Sequence, residues 1–259
     1  MEKRKNLILI IFLFLPLFAS VISFLFNANV FESVILFLII PSIILSLVQK
    51  KSIIKSIIFS IISIPALLII DYISHKMGQW IVPITVFPFK LFNIVPIEDS
   101  FWAFFLTFET VMFYEYFLDN QKKNEFVKKR FLPLLLIAFV IPSLWFIIGF
   151  RFPIVFQIKY FYAIWGSVLL LIPLFLFLFK YPTLIKKFAI TGTYFLYLNL
   201  SYEITALIKN WWFFPKSSDF IGWVNVGKLF FPLEEFIFYI IIFALGLLAW
   251  YEYFDDDRK

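Results

Sequence analysis

Cysteine is absent from the 259-residue chain, histidine occurs once and glycine only seven times. Without cysteine there is no disulfide, thiolate nucleophile, iron–sulfur cluster or zinc-finger site, and a single imidazole excludes paired-histidine metal and haem ligation. Seven glycines and no G-x-G-x-x-G give a dinucleotide-binding turn no footing. Charged residues are scarce at 15%, and hydrocarbon takes their place: 63% of residues are apolar, with 39 Phe, 12 Tyr and 8 Trp. A soluble domain holds roughly 45–50% apolar residues even when glycine is counted. The composition therefore describes an integral membrane protein, and a ligand inside it meets ring faces and aliphatic walls, which disfavours a polar metabolite. The net charge of +6 points to lipid headgroups and topology, not to nucleic acid.

Runs near 20 apolar residues, enough to cross about 30 Å of hydrocarbon, number eight. They run approximately Leu7 to Phe26, Ser33 to Val48, Ser56 to Asp71, Pro96 to Leu118, Phe131 to Phe150, Tyr160 to Phe179, Phe188 to Ile208 and Leu229 to Tyr253. The first follows Lys3, Arg4 and Lys5, which also suits a signal peptide, but it is long for one and no A-x-A cleavage site follows. With the amino terminus cytoplasmic, sixteen of the 23 Lys/Arg fall on that side, so the positive-inside rule puts both termini in the cytoplasm of a multi-pass cell-membrane protein.

The landmarks of the first four spans recur about 130 residues later. Asp71 ends the third span, Trp80 follows nine residues on, Pro96-Ile97-Glu98-Asp99 opens the fourth span, and Tyr114-Glu115-Tyr116-Phe117 closes it. In the second set Glu203, Trp212, Pro232-Leu233-Glu234-Glu235 and Tyr251-Glu252-Tyr253-Phe254 come in the same order. The expected fold is all-α, with two tandem four-helix repeats related by an axis along the membrane normal. The first repeat takes residues 1–118 (core about 33–118), a basic cytoplasmic linker takes 119–130, and the second repeat takes 131–259 (core about 160–254).

Glu2, Glu115, Asp119, Glu125, Glu252, Asp255, Asp256 and Asp257 fall at the cytoplasmic side and read as solvated or interfacial charge, with the three-Asp tail a disordered end. The remaining acids cluster at the opposite side, except Glu109, which is near mid-span and eleven residues after Glu98, on nearly the same helix face. An acid at that depth faces protein interior and is a functional candidate. Pro-x-Glu-Glu/Asp alone is an ordinary helix start. A second acid each time, opposite another that ends the preceding span, suggests chemistry. At helix C-termini, dipole and burial would favour the neutral forms of Asp71 and Glu203, whereas the dipole at the N-termini favours anionic Glu98 and Glu234. An acid beside a base needs no metal or redox cofactor. Trp80, Trp102, Trp211, Trp212 and Trp223 suit an interfacial aromatic belt or, for those facing a cavity, cation–π stabilisation. His75 reads as an interfacial loop residue.

These residues resemble the integral-membrane lycopene cyclases: paired subunits in some bacteria, tandem fusions in archaea, and fused to phytoene synthase in fungi. The likeness lies in the acid ending one span, the downstream Trp and the Pro-x-Glu-Glu/Asp opening the next, here doubled, with Phe236 and Phe238 following the second motif. It covers about Ser33 to Leu118 and Tyr160 to Phe254. Glu203 departs from the expected Asp, and Trp212 to Pro232 is four residues longer than Trp80 to Pro96. The resemblance implies redox-neutral cyclisation of acyclic carotenoid ends, without cofactor or metal. Glu234, Glu235, Glu98, Asp99, Asp71 and Glu203 are the candidate catalytic groups, and Trp80, Trp102, Glu109, Trp212, Phe236 and Phe238 are the candidate substrate contacts. Partners would be a carotenoid such as lycopene and membrane lipids, and a homo-oligomer stays open. The alternatives are a transporter or an isoprenoid-lipid-binding protein on the same repeat. A prenyltransferase would need Asp-rich magnesium motifs, and the only Asp cluster is terminal.

Overall fold

Long apolar runs without water to satisfy backbone groups must close their hydrogen bonds internally, and a helix does so within one segment. The computed structural model describes residues 2–119, 140–215 and 218–255, and it is mostly helical. Eight helices occur among these residues: α1 (Glu2–Leu25), α2 (Val30–Val48), α3 (Ile53–Lys76), α4 (Ile97–Phe117), α5 (Ile141–Arg151), α6 (Phe161–Lys180), α7 (Ile185–Lys209) and α8 (Glu235–Phe254). Helices α1, α2, α3, α6 and α8 are long and apolar enough to cross a bilayer, which marks a multi-pass membrane protein. Large side chains facing outward, such as Phe179, Phe26 and Leu25, supply the lipid-facing surface. α4 and α7 carry more polar residues and turn them inward: Glu98, Thr107, Glu109 and Thr110 on α4, and Thr191, Asn199, Glu203 and Thr205 on α7, are all buried.

Two antiparallel hairpins close one end of the bundle. β1 (Lys90–Leu91) pairs with β2 (Val95–Pro96), and β3 (Trp223–Val226) pairs with β4 (Leu229–Pro232). The last expected span therefore starts too early: Leu229 to Pro232 is strand, and the apolar run hid a hairpin whose turn is made by Gly227 at φ +61°. The other end gathers the start of α1 and the ends of α4 and α8, with Lys5 over the Tyr116 ring.

Several backbone events fall 132 positions apart. The π-helical turns at Ile35–Ile39 and Ser167–Leu171, the 3₁₀ turns at Lys50–Ser52 and Pro182–Leu184, and the starts of α3 and α7 all keep this interval. The expected linker lies outside the described residues except for Asp119, as do Asp256, Asp257 and most of the first half of the fifth span.

The termini end is not the solvated rim expected. Glu115, Asp119, Glu252 and Asp255 are all buried. Lys55, itself buried, pairs with Asp255, and Lys187 pairs with Asp119 at 2.8 Å. Tyr251 donates to Glu115, which also accepts from Ser52 at 3.0 Å, and Tyr114 faces Glu252. Buried charge persists because it is paired, and Lys55–Asp255, Lys187–Asp119, Tyr251–Glu115 and Tyr114–Glu252 each join distant parts of the chain, whereas Ser52–Glu115 is made within the first half.

Candidate functional site

At the hairpin end, indoles tether the acids that were expected to terminate spans. Trp80 Nε1 donates to Asp71 Oδ1 at 2.8 Å, and Trp212 Nε1 donates to Glu203 Oε2 at 3.1 Å. Ile81 and Phe213, each next to its tryptophan, exchange backbone hydrogen bonds of 3.0 and 3.1 Å, so the two loops meet. Asp71 and Glu203 do not end their helices, however. α3 continues to Lys76 and α7 to Lys209, where Asn210 in a left-handed conformation stops it. The macrodipole acts within the last turn, so the expected helix-end effect does not apply to either acid.

The adjacent acids of each Pro-x-Glu-Glu/Asp motif point to different tasks. Glu98 Oε1 accepts from the amides of Val86 at 2.5 Å and Phe87 at 3.1 Å, and Glu234 Oε1 accepts from Ile221 at 2.5 Å. Neither motif makes a side-chain cap on its own helix. The first acid of each pair thus clips the preceding loop to the helix start. The second acid meets another acid: Asp99 approaches Asp71, and Glu235 neighbours Glu203. Tyr162 donates to Glu235 Oε2 at 2.5 Å.

His75 belongs to this cluster and not to a loop. It is helical, its Nδ1 is 2.9 Å from Asp71 Oδ1, and its Nε2 is 3.9 Å from Asp99 Oδ2. Asp71, His75 and Asp99 offer three ligand atoms within 4.8 Å of one another, a spacing that a divalent cation could use; so do Glu115, Asp119 and Asp255, where lysines already supply positive charge. Asp71 Oδ2 and Asp99 Oδ2 are buried with no donor among the described residues. One proton shared between the two carboxyls would satisfy both.

These acids cap a cavity of about 450 Å³ at the meeting of the two sets of spans. Asp71, Glu98, Asp99 and Glu235 are on its wall, beside Trp80, Trp102, Trp212 and Phe238. The rest of the wall is aliphatic and aromatic, drawn chiefly from α3, α4, α6 and α8. Glu203 and Glu234 lie buried outside the lining. Glu109 is buried too but faces α7, where Tyr194 donates to it at 3.1 Å; Phe236 packs toward Phe231. Trp211 is a buried tether that donates to the Ala28 carbonyl at 2.9 Å. Along most of this wall α6, and not α7, accompanies α3, α4 and α8, while Phe37 stacks on Tyr202 on the α2–α7 side.

Tyr162 escaped the sequence reading, as it opens a span with no partner in the recurrent landmarks. Its edge-on contact with Trp80, 5.4 Å between centroids, joins the two carboxyl pairs across the cavity end. No protein-family model, curated protein or solved structure matches the chain.

Proposed function

We propose that the protein is a membrane cyclase acting on the acyclic ends of a linear carotenoid such as lycopene. The observation that carries the reading is the Asp71–Asp99 carboxyl pair with its indole donor Trp80, together with Glu235, at the end of an otherwise chiefly hydrocarbon-lined cavity. Cation chemistry asks for an acid, a base and a dry aromatic wall. In this scheme the Asp71–Asp99 pair holds the proton, and one carboxyl delivers it to the terminal double bond. The resulting tertiary cation is captured by the neighbouring alkene, closing the ring carbon–carbon bond. Glu235, an acceptor toward Tyr162, stabilises the ring cation and removes a ring proton. One proton enters and one leaves, so product and substrate are isomers. Trp80, Trp102 and Trp212 offer ring faces to the cation.

The same proposal takes the two sets of spans as a tandem repeat about an axis along the membrane normal. The Ile81–Phe213 bridge, between positions 132 apart, is supporting evidence. The basic termini end is taken as cytoplasmic by the positive-inside rule. The second reading is a proton-coupled carrier, since repeats with buried acids also build transporters. It would have to open at the termini end, where paired charges are buried and cross-linked between halves. Expression in cells that accumulate lycopene, followed by pigment chromatography, tests the cyclase reading. Ring-bearing product is expected, and unchanged lycopene at full membrane yield would refute it.

A further inference from the structure

We propose that the isoprenoid enters this cavity sideways from the bilayer, between α3 and α6 at Val168, and is held with part of its chain still in lipid. The identity of the occupant rests on the cyclase reading; the opening rests on packing. α6 is seated closely on α8. A Cβ at Gly166 would lie 2.3 Å from the Phe238 ring, and one at Gly246 would lie 2.7 Å from Leu170. Held there, α6 meets α3 chiefly through Phe161–Gly166. Beyond that contact the cavity runs between them, with Ala66 to Ile70 on one wall and Val168 to Leu170 on the other. Val168 lines the cavity and yet is 51% exposed, which marks an opening to the outside. Pro65 and the π-helical turn Ser167–Leu171 sit at this level, and both interrupt regular helix surface. On the opposite side the α2–α7 seam is plugged, with Phe37 stacked on Tyr202 at 4.4 Å and Ser33 bonded to Tyr202 at 2.8 Å.

Length argues the same way. From Asp71 to Phe59, both on the lining, α3 rises about 18 Å at 1.5 Å per residue. Bond lengths near 1.4–1.5 Å give an extended isoprenoid roughly 5 Å per unit. The cavity therefore takes about four of the eight units of a C40 chain. The paired charges beyond its floor block the termini end, and a hydrocarbon tail favours lipid over water. The remaining half lies in the bilayer through the gap.

The chain has no native cysteine, so Val168→Cys carries a single nitroxide label cleanly. In liposomes the label should collide with lipid-dissolved oxygen and become immobilised when lycopene is added. Val168→Trp should lower the initial rate of ring formation by about tenfold or more, the equivalent of at least ~1.4 kcal/mol. Phe179→Trp, equally bulky on the lipid face of α6 and away from the lining, should stay at the parental rate. If the parent cyclises lycopene and both tryptophan variants match it, the portal is overturned and the cyclase reading stands. If the parent forms no rings, the cyclase reading fails, and the label alone decides the portal: immobilisation by the polyene supports it, and an unchanged spectrum overturns it.

Discussion

Replacing Glu235 and Glu234 separately with glutamine separates catalysis from scaffolding, because adjacent isosteric changes should act on different quantities. Glu234 Oε1 accepts the Ile221 amide at 2.5 Å, and a glutamine carbonyl can accept the same bond. The loss is the difference between a hydrogen bond to a charged group, about 1.5–3 kcal/mol, and one to a neutral group, about 0.5–1.5 kcal/mol. Glu234→Gln should therefore cost about 1 kcal/mol of stability and leave ring formation by the folded fraction near parental. Glu235→Gln also keeps an acceptor for Tyr162, so its structural cost is of the same order. What it loses is the anion and the proton acceptor at the cavity wall. General acid–base groups contribute about 10²–10⁴-fold, which corresponds to roughly 2.7–5.4 kcal/mol in the barrier. The assay is chromatography of pigments from lycopene-producing cells, normalised to membrane-inserted protein, beside thermal melts in detergent. The reasoning is refuted if Glu235→Gln cyclises at the parental rate while Glu234→Gln, fully folded, makes no rings.

Asp99→Asn should lose ring formation to the same 10²–10⁴ extent, measured in the same pigment assay, because an amide cannot share the proton assigned to Asp71 and Asp99. Trp80→Phe keeps a ring face but removes the 2.8 Å bond to Asp71; a bond to a charged acceptor is worth about 1.5–3 kcal/mol, so the cyclisation rate should fall about tenfold or more. Lys55→Met, which takes the lysine from buried Asp255, should cost about 3–5 kcal/mol in a detergent melt, and adding Asp255→Asn should recover most of it. Single cysteines at Lys90 or Lys228, both exposed at the hairpins, should label from outside intact cells, and one at Lys3 should not.

Five of the eight expected spans, those that form helices long and apolar enough to cross a bilayer, were legible because hydropathy is the chain's dominant signal, and so was the nine-residue step from Asp71 to Trp80 and from Glu203 to Trp212, which the fold converts into hydrogen bonds. Helix limits were harder. Ser74, His75 and Lys76 end the apolar run without ending α3, since His75 finds partners within the protein in Asp71 and Asp99. The division of labour within Glu98-Asp99 and Glu234-Glu235 was not legible either. It depends on where the loop amides of Val86, Phe87 and Ile221 arrive, a long-range fact that local pattern does not carry. The buried charges at the termini end were misjudged for the same reason: an acid next to a polar segment reads as solvated until its partner, some 200 residues away for Lys55 and Asp255, is brought to it.

The differences between the two sets of spans bear on why a duplicated scaffold would suit this chemistry. Two identical carboxyl pairs would compete for the same protonation state, whereas cyclisation needs one to give a proton and the other to take it. At the interval of 132, His75 corresponds to Leu207 and Tyr162 corresponds to Val30, so each pair has a polar neighbour that the other lacks. The imidazole lies against Asp71 and Asp99, and the phenol donates to Glu235. A phenol donor favours an anionic acceptor, which suits the base. Two facing carboxyls without another donor for their inner oxygens favour a shared proton, which suits the acid. Removing one neighbour probes this directly: Tyr162→Phe takes away the donor that stabilises the anionic Glu235 and should slow ring formation without unseating the substrate, so its effect should fall on kcat with KM retained. A rise in KM alone would make Tyr162 a wall residue and leave the assignment of Glu235 without its main support.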